Sequence, residues 1–163
     1  MENPEKGLIL ENSGTVKLIR ILFYLVGAMY VIALIGFYWF KLNNWLIGAS
    51  VLFALDLLSF AWLNYHYISF SIEKNQFVLR YYSVISLFSR QYHEIEFPLR
   101  RLLSYKIRNF LFGIKAELIL EIITPKGKAV YPPVNISALT TDQKRILEEE
   151  IQNLIIKNHV ERN

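Results

Sequence analysis

Two long apolar runs separated by a short polar loop dominate the first part of the chain. The runs cover residues 18–40 and 45–63, and residues 41–44 between them read KLNN. A helix rises about 1.5 Å per residue, so about 20 apolar residues cross a hydrocarbon core roughly 30 Å thick. Backbone groups in lipid must satisfy one another, which favours helices. The pattern predicts a membrane-spanning helical hairpin over residues 17–64, preceded by an N-terminal segment over residues 1–16.

The apolar runs fit neither a soluble helical core nor a cleaved signal peptide as well as they fit a membrane. A buried helical pair in a soluble core rarely contains uninterrupted apolar runs of this length. A cleaved signal peptide has a shorter apolar region followed by small residues, whereas the first run ends in FYWF and a second run follows at once. We therefore expect both runs to be retained as spans.

After about residue 65 the chain changes to short apolar segments separated by polar turns. Segments 67–72 and 77–83 flank the turn EKNQ and predict a β-hairpin. Residues 115–123 alternate between apolar and more polar positions, which is typical of a strand with one buried face. Further strands are predicted at 86–97, 103–108 and 128–131.

The last segment has the periodicity of a helix. Thr140 followed by Gln143 matches a capping box. Apolar residues then recur at helical spacing, at Ile146, Leu147, Ile151, Leu154 and Ile155. The pattern predicts an α+β domain over residues 65–163, with a bent antiparallel sheet or barrel of about six or seven strands capped by a C-terminal helix. Another small α+β domain with a four-stranded sheet is less consistent with this order, because the helix comes only after all the strands.

This order of elements resembles bacterial membrane proteins in which a two-helix hairpin precedes a pleckstrin-homology-like domain. The resemblance rests on ISFSI at 68–72 running into FVLRYY at 77–82, on LILEIITPKG at 118–127, and on VNISAL at 134–139. It covers most of the chain and implies a PH-like fold for the second domain. Phosphoinositide-binding members of the wider fold carry clustered Lys and Arg around the first strand pair, where this chain has only Lys74 and Arg80. That departure argues against phosphoinositide recognition.

Basic residues near the two runs predict the orientation of the hairpin. Lys17 and Arg20 lie at the start of the first run, Lys74 and Arg80 follow the second, and Lys41 lies in the loop. The positive-inside rule therefore predicts a multi-pass protein of the cytoplasmic (inner) membrane with both termini in the cytoplasm. A composition of 53% hydrophobic residues agrees with a membrane protein. The net charge of +4 follows from this topology and needs no nucleic-acid partner.

Asp56 is the one charged residue within the second run, and a carboxylate in a span needs a partner. Folding the hairpin about its loop leaves Arg20 about nine residues away along the axis, or roughly 13 Å. We therefore expect Arg20 to extend to the head groups. Asp56 is left to a hydroxyl such as that of Tyr30 or Ser59, to a proton, or to another protein.

Small residues on the second run suggest a surface for helix association. Ser50 and Ala54 have the spacing that lets two helices approach closely. They either meet another protein or pack against Gly27 and Ala28 of the first run. Together with Asp56, they favour integral membrane partners or a homo-oligomer.

A basic and aromatic segment of the second domain is a candidate contact with the bilayer. Each Lys or Arg near an anionic membrane surface contributes about 1 kcal/mol. The alternative is that the aromatic residues belong to a strand or core and that the charges form a solvated face. The residues are Arg100, Arg101, Lys106, Arg108, Phe110, Leu111 and Phe112.

No motif in the sequence indicates catalysis, a cofactor or a metal site. Cysteine is absent, and His66, His93 and His159 belong to separate predicted elements. The glutamate run at 148–150 is typical of a solvated helix face. We therefore expect a non-enzymatic membrane scaffold or assembly subunit without cofactor, nucleic acid or small-molecule substrate. Its hairpin binds membrane partners and its second domain binds cytoplasmic proteins. The alternative is a small ion- or proton-linked transport or motor subunit that uses Asp56.

Overall fold

The computed structural model describes residues 7–85, 92–110 and 113–162 of the chain. Two long helices come early, α1 (Ser13–Trp39) and α2 (Asn43–Leu63). Both are long and apolar enough to span a membrane, with mean hydropathies of 2.4 and 2.0 in their most apolar windows. The predicted helical pair is therefore present, although α1 begins five residues before the predicted start at residue 18.

Aromatic contacts show that α1 and α2 lie antiparallel. The rings of Phe23 and Phe60 are 5.2 Å apart between centroids, and those of Tyr30 and Phe53 are 5.0 Å apart. Near the loop, Phe37 meets Trp45 at 6.4 Å. The short connection reverses the chain through Lys41, whose φ of 56° lies in the left-handed region.

The first sheet, sheet A, contains four antiparallel strands in chain order. They are β1 (Leu8–Glu11), β2 (His66–Glu73), β3 (Gln76–Ser83) and β4 (His93–Pro98). The predicted β-hairpin is confirmed as β2 and β3, which pair along their whole length. Both central residues of the turn have positive φ, which matches the twist of a tight hairpin. The first six positions of the strand predicted at 86–97 lie outside the described residues, and β4 covers its second half.

The second sheet, sheet B, is organised around its longest strand. Its strands are β5 (Leu102–Phe110), β6 (Lys115–Thr124), β7 (Gly127–Val130) and β8 (Val134–Asn135). Strand β6 pairs with each of the other three, always antiparallel. Its predicted alternation is confirmed, because Ala116, Leu118, Leu120 and Ile122 are all buried.

The core lies between the inner faces of the sheets and the last helix, α3 (Thr141–Arg162). Leu147 and Ile151 of α3 are fully buried against the strands. The predicted capping box is confirmed: Gln143 Oε1 accepts from the backbone N–H of Thr140 at 3.0 Å, and Thr140 Oγ1 accepts from that of Gln143 at 3.2 Å. The α+β arrangement of antiparallel sheets with a C-terminal helix is therefore confirmed.

Two details of the predicted fold are wrong. The described residues form eight strands rather than six or seven, because β1 precedes the hairpin and β8 has only two residues. The sheets do not close into a barrel. Strands β4 and β5 are joined through a 3₁₀ turn at Leu99–Arg101, which interrupts the strand pairing between the two sheets.

Two buried asparagines join the helical hairpin to the sheets. Asn12 lies just before α1; its Oδ1 accepts from the N–H of Ile68 at 2.8 Å, and its Nδ2 donates to the carbonyl of His66 at 3.0 Å. Asn135 donates through Nδ2 to the carbonyl of Leu63, the last residue of α2. Both ends of the hairpin are therefore fixed to the sheets by side-chain amides.

Candidate functional site

Tyr30 and Asp56 meet between the two helices of the hairpin. The Tyr30 hydroxyl donates to Asp56 Oδ2 at 2.6 Å. The Tyr30 ring also packs on Phe53, one helical turn before Asp56. Of the two hydroxyls proposed from the sequence as partners of Asp56, the structure brings Tyr30 to the carboxylate.

The serine hydroxyls of α2 bond within their own helix. Ser59 donates to the carbonyl of Leu55 at 2.8 Å, and Ser50 donates to that of Leu46 at 2.9 Å. Ser50 is exposed, as is Ala54. The pair with small-residue spacing therefore lies on the outside of the hairpin and not in its interior.

A cleft of about 210 Å³ opens beside Asp56 between the helices. Asp56 is its one charged lining residue, and Gly27 forms part of the opposite wall. A Cβ built on Gly27 has no atom within 4 Å, so the space beside this glycine is open. The cleft, called the Asp56 cleft below, is lined by Phe23, Tyr24, Val26, Gly27, Ala28, Phe53, Asp56, Leu57 and Phe60.

The carboxylate of Asp56 has unused hydrogen-bonding capacity. Within the described part of the chain, the Tyr30 hydroxyl is its one hydrogen-bond donor. An ionised carboxylate offers about four acceptor positions on its two oxygens. The Asp56 cleft thus combines an apolar wall with an acceptor that a further donor can reach.

Part of the basic and aromatic segment lies close to the end of the hairpin. Arg108 pairs with Glu117 at 3.2 Å and lies 5.7 Å from the centre of the Phe110 ring. Lys115, at the start of β6, lies 5.2 Å from the ring centre of Trp62, in the last turn of α2. The start of β6 is therefore next to the end of α2.

The remaining basic residues of that segment are further away. Arg100 and Arg101 belong to the 3₁₀ turn before β5, whereas Arg108 and Phe110 are at the other end of the strand. At roughly 3.3 Å per residue, the two ends of β5 are more than 20 Å apart. Lys106 lies between them on the exposed face. Leu111 and Phe112 lie outside the described residues.

Two histidines that belong to different strands flank the same tyrosine. The ring of Tyr81 lies 5.5 Å from that of His66 and 5.2 Å from that of His93. Burial lowers the pKa of His66 to about 4, and the nearby charges of His93 and Lys115 add to the effect. Its Nδ1 is buried without a hydrogen-bond partner among the described residues. No pattern in the sequence predicts this cluster, because it depends on the register between β3 and β4.

The comparisons with known proteins leave the interpretation to the geometry. No family model, no curated protein and no solved structure matches the chain. Within residues 7–85, 92–110 and 113–162, no group of three or more His, Cys, Asp or Glu side chains is arranged to hold a metal ion.

Proposed function

We propose that this chain is a membrane-anchored assembly subunit whose helical hairpin receives a helix of an integral membrane partner in the Asp56 cleft. The single observation that carries the proposal is the Tyr30–Asp56 pair beside an open apolar space of about 210 Å³. The partner helix is apolar and carries a hydrogen-bond donor for the remaining acceptor positions of Asp56. A second copy of the chain meets this requirement only if one of its own donors reaches the cleft.

The physical basis is the low polarity of a bilayer. A carboxylate in hydrocarbon is costly when its acceptors are unmatched, and residues of this kind usually face another protein or a polar cavity. A bond between transmembrane helices contributes about 0.6 kcal/mol on average. The carboxylate therefore supplies specificity, while close packing against Gly27 and its neighbours supplies most of the contact.

The pairing of β1 with β2 supports a hairpin with both termini on one side of the membrane. Leu10 is opposite Phe70 in this pairing, although the two helices separate them in sequence. Strands of one sheet must lie on the same side of a bilayer, so α1 and α2 together form an even number of crossings. The positive residues Lys17 and Arg20 favour the cytoplasmic side of the inner membrane.

In this proposal the β domain is related to pleckstrin-homology-like domains and binds a cytoplasmic protein. Ile123 and Val130 support a contact surface on sheet B, because both are exposed on its outer face, at 39% and 61%. At the other end of the domain, Phe110 pairs with Lys115, which contacts Trp62 near the end of α2, and Arg108 lies over the Phe110 ring. Arg108 and Phe110 support a contact with anionic head groups, which orients the domain on the membrane.

The test is quantitative mass spectrometry of the tagged full-length protein purified from its native membrane in mild detergent. Gly27→Leu fills the Asp56 cleft, and Asp56→Leu removes the acceptor. We expect both variants to lose the stoichiometric membrane partner. Gly36→Leu is the matched control, because Gly36 is on the same helix, has equal open space and lies outside the cleft.

Asp56→Asn separates the two functions considered from the sequence. The amide keeps a hydrogen-bonding oxygen, so an assembly subunit retains its partner, whereas a proton-linked transport or motor subunit keeps the partner but loses proton-dependent activity. Retention of the same partner by Gly27→Leu and Asp56→Leu would contradict the proposed docking site.

A further inference from the structure

A second cleft, of about 540 Å³, separates the first turns of α1 from the outer face of sheet A. We call it the α1–β2 cleft. Lys17 and Arg20 line it from α1, and Tyr67, Arg80 and Tyr82 line it from the strands. Its volume is in the range of sites that hold a whole small molecule rather than a bare ion.

The cleft carries an excess of positive charge. Arg80 is already matched, because its Nε donates to Glu94 at 2.9 Å. Glu11 is the one carboxylate in the lining, and it accepts from the Tyr67 hydroxyl at 2.8 Å. Lys17 and Arg20 form no ion pair within the described part of the chain, so two cations remain available to an anion.

These two cations lie where α1 becomes purely apolar. From Ile21 to its end at Trp39 the helix has no charged residue. Lys17 and Arg20, three residues apart, are on neighbouring positions of its surface just before that stretch. Because this inference rests on the proposed insertion of α1 in a membrane, the cleft opens at the level of the lipid phosphates. A lipid bound there can lay its acyl chains along the exposed apolar side of α1.

Aromatic side chains form the opposite wall of the cleft. Tyr67 and Tyr82 stack at 4.6 Å between ring centroids on the outer face of sheet A. Burial and the bond to Glu11 raise the pKa of Tyr67 to about 12, so its hydroxyl stays protonated at neutral pH. Rings with polar tips suit the boundary between head groups and hydrocarbon.

We propose that the α1–β2 cleft binds the head group of an anionic phospholipid, with its phosphate on Lys17 and Arg20 and its glycerol side against the Tyr67–Tyr82 wall. Arginine and lysine are the residues that recognise phosphate oxygens, arginine in a two-bond geometry. A soluble phosphorylated molecule presents the same chemistry, and the experiment therefore separates the two sources.

The experiment measures binding of dioctanoyl phosphatidylglycerol, dioctanoyl phosphatidylcholine and inorganic phosphate to the full-length protein in mild detergent, by native mass spectrometry. We expect phosphatidylglycerol to bind at least tenfold more tightly than phosphatidylcholine. Lys17→Gln with Arg20→Gln should reduce that affinity at least tenfold. Lys126→Gln with Lys128→Gln removes the same charge from the turn before β7 and from the start of β7, and should change the affinity less than twofold.

Tyr82→Ala tests the cleft itself without a change of charge. We expect it to weaken phosphatidylglycerol binding severalfold, and unchanged affinity would overturn the site in favour of diffuse attraction. Equal binding of phosphatidylcholine would overturn head-group selectivity, and equally tight binding of inorganic phosphate would overturn the lipid as the ligand. None of these variants touches the Asp56 cleft, so retention of the membrane partner reports separately on the proposed function.

Discussion

The hairpin and the β domain use the same apolar residue types in opposite ways. Leu118 of β6 is fully buried and Phe70 of β2 is equally enclosed, whereas Leu58 of α2 is 66% exposed and Ile32 of α1 is 70% exposed. The β domain buries most of its large apolar side chains in its own core. The hairpin cannot, since one helix has too little surface to cover the other. Its stability therefore depends on an apolar solvent or partner outside the chain.

A pair of identical substitutions tests this difference most directly. Leu118→Ala removes a fully buried side chain and should lower the free energy of unfolding of the β domain by about 2–5 kcal/mol. Leu58→Ala, at the exposed position, should lower it by less than about 0.5 kcal/mol. Hydrogen exchange of the β6 amides in mild detergent measures both. Similar losses for the two variants would show that the regions are not independent.

The next effect concerns the joint between the two regions. Asn12→Ala leaves the N–H of Ile68 and the carbonyl of His66 without their partners, and each unsatisfied buried group costs about 1–3 kcal/mol. We expect a total loss of about 3 kcal/mol and faster hydrogen exchange in β1. Asn153→Ala on the exposed side of α3 is the control. Unchanged exchange in β1 would mean that the strand is held independently of Asn12.

The His66 cluster predicts a dependence on pH in the β domain alone. The folded pKa of about 4 is below the unfolded value of 6.5, so the unfolded state binds the proton more readily between these values. Stability is then fully present above about pH 6.5 and falls as the pH drops towards 4, by about 2.5 kcal/mol at pH 4.5.

The matched variants for this prediction are His66→Gln and His159→Gln. His66→Gln should remove that part of the acid sensitivity, whereas the exposed His159 should contribute none of it. Urea unfolding at pH 7.5 and pH 4.5 gives the difference. An identical loss of stability in the wild type and His66→Gln would assign the acid sensitivity to other groups.

The smallest effect is expected inside the hairpin. A double-mutant cycle of Tyr30→Phe and Asp56→Leu, each of which removes the hydrogen bond, should give a coupling of about 1 kcal/mol, within the range measured for hydrogen bonds between transmembrane helices. Reversible unfolding in bicelles is the appropriate measurement. A coupling near zero would leave packing between the aromatic rings as the main link between α1 and α2.

Much of the fold was predictable because its signals are local. Apolar length identified α1 and α2, strict alternation identified β6, and Thr140 with Gln143 identified the start of α3. The two strands that were not predicted, β1 and β8, have no comparable local signal. Strand β1 has four residues and its partner is some sixty positions away, so only the reversal of the hairpin brings them together.

The candidate site was predictable in part for the same reason. Counting from the loop puts Asp56 opposite about Met29 of the first run, close enough to suggest Tyr30. The choice between Tyr30 and Ser59 depends on the rotation of each helix and on the bond of Ser59 to its own backbone. The α1–β2 cleft brings together residues at the start of the hairpin and residues of the strands that follow it in sequence. No spacing in the sequence predicts that these residues are close to one another.

The position of β1 also determines the order in which the protein can be completed. The ribosome makes Leu10 before either helix and makes Phe70 only after both. Sheet A must therefore wait for two helices to form and for the chain to turn back at Lys41. Until then the side chain of Asn12 cannot form its hydrogen bonds to the backbone of β2. The β1 edge of the sheet thus closes only after both helices have been made, and its closure reports that the hairpin was assembled in the correct sense.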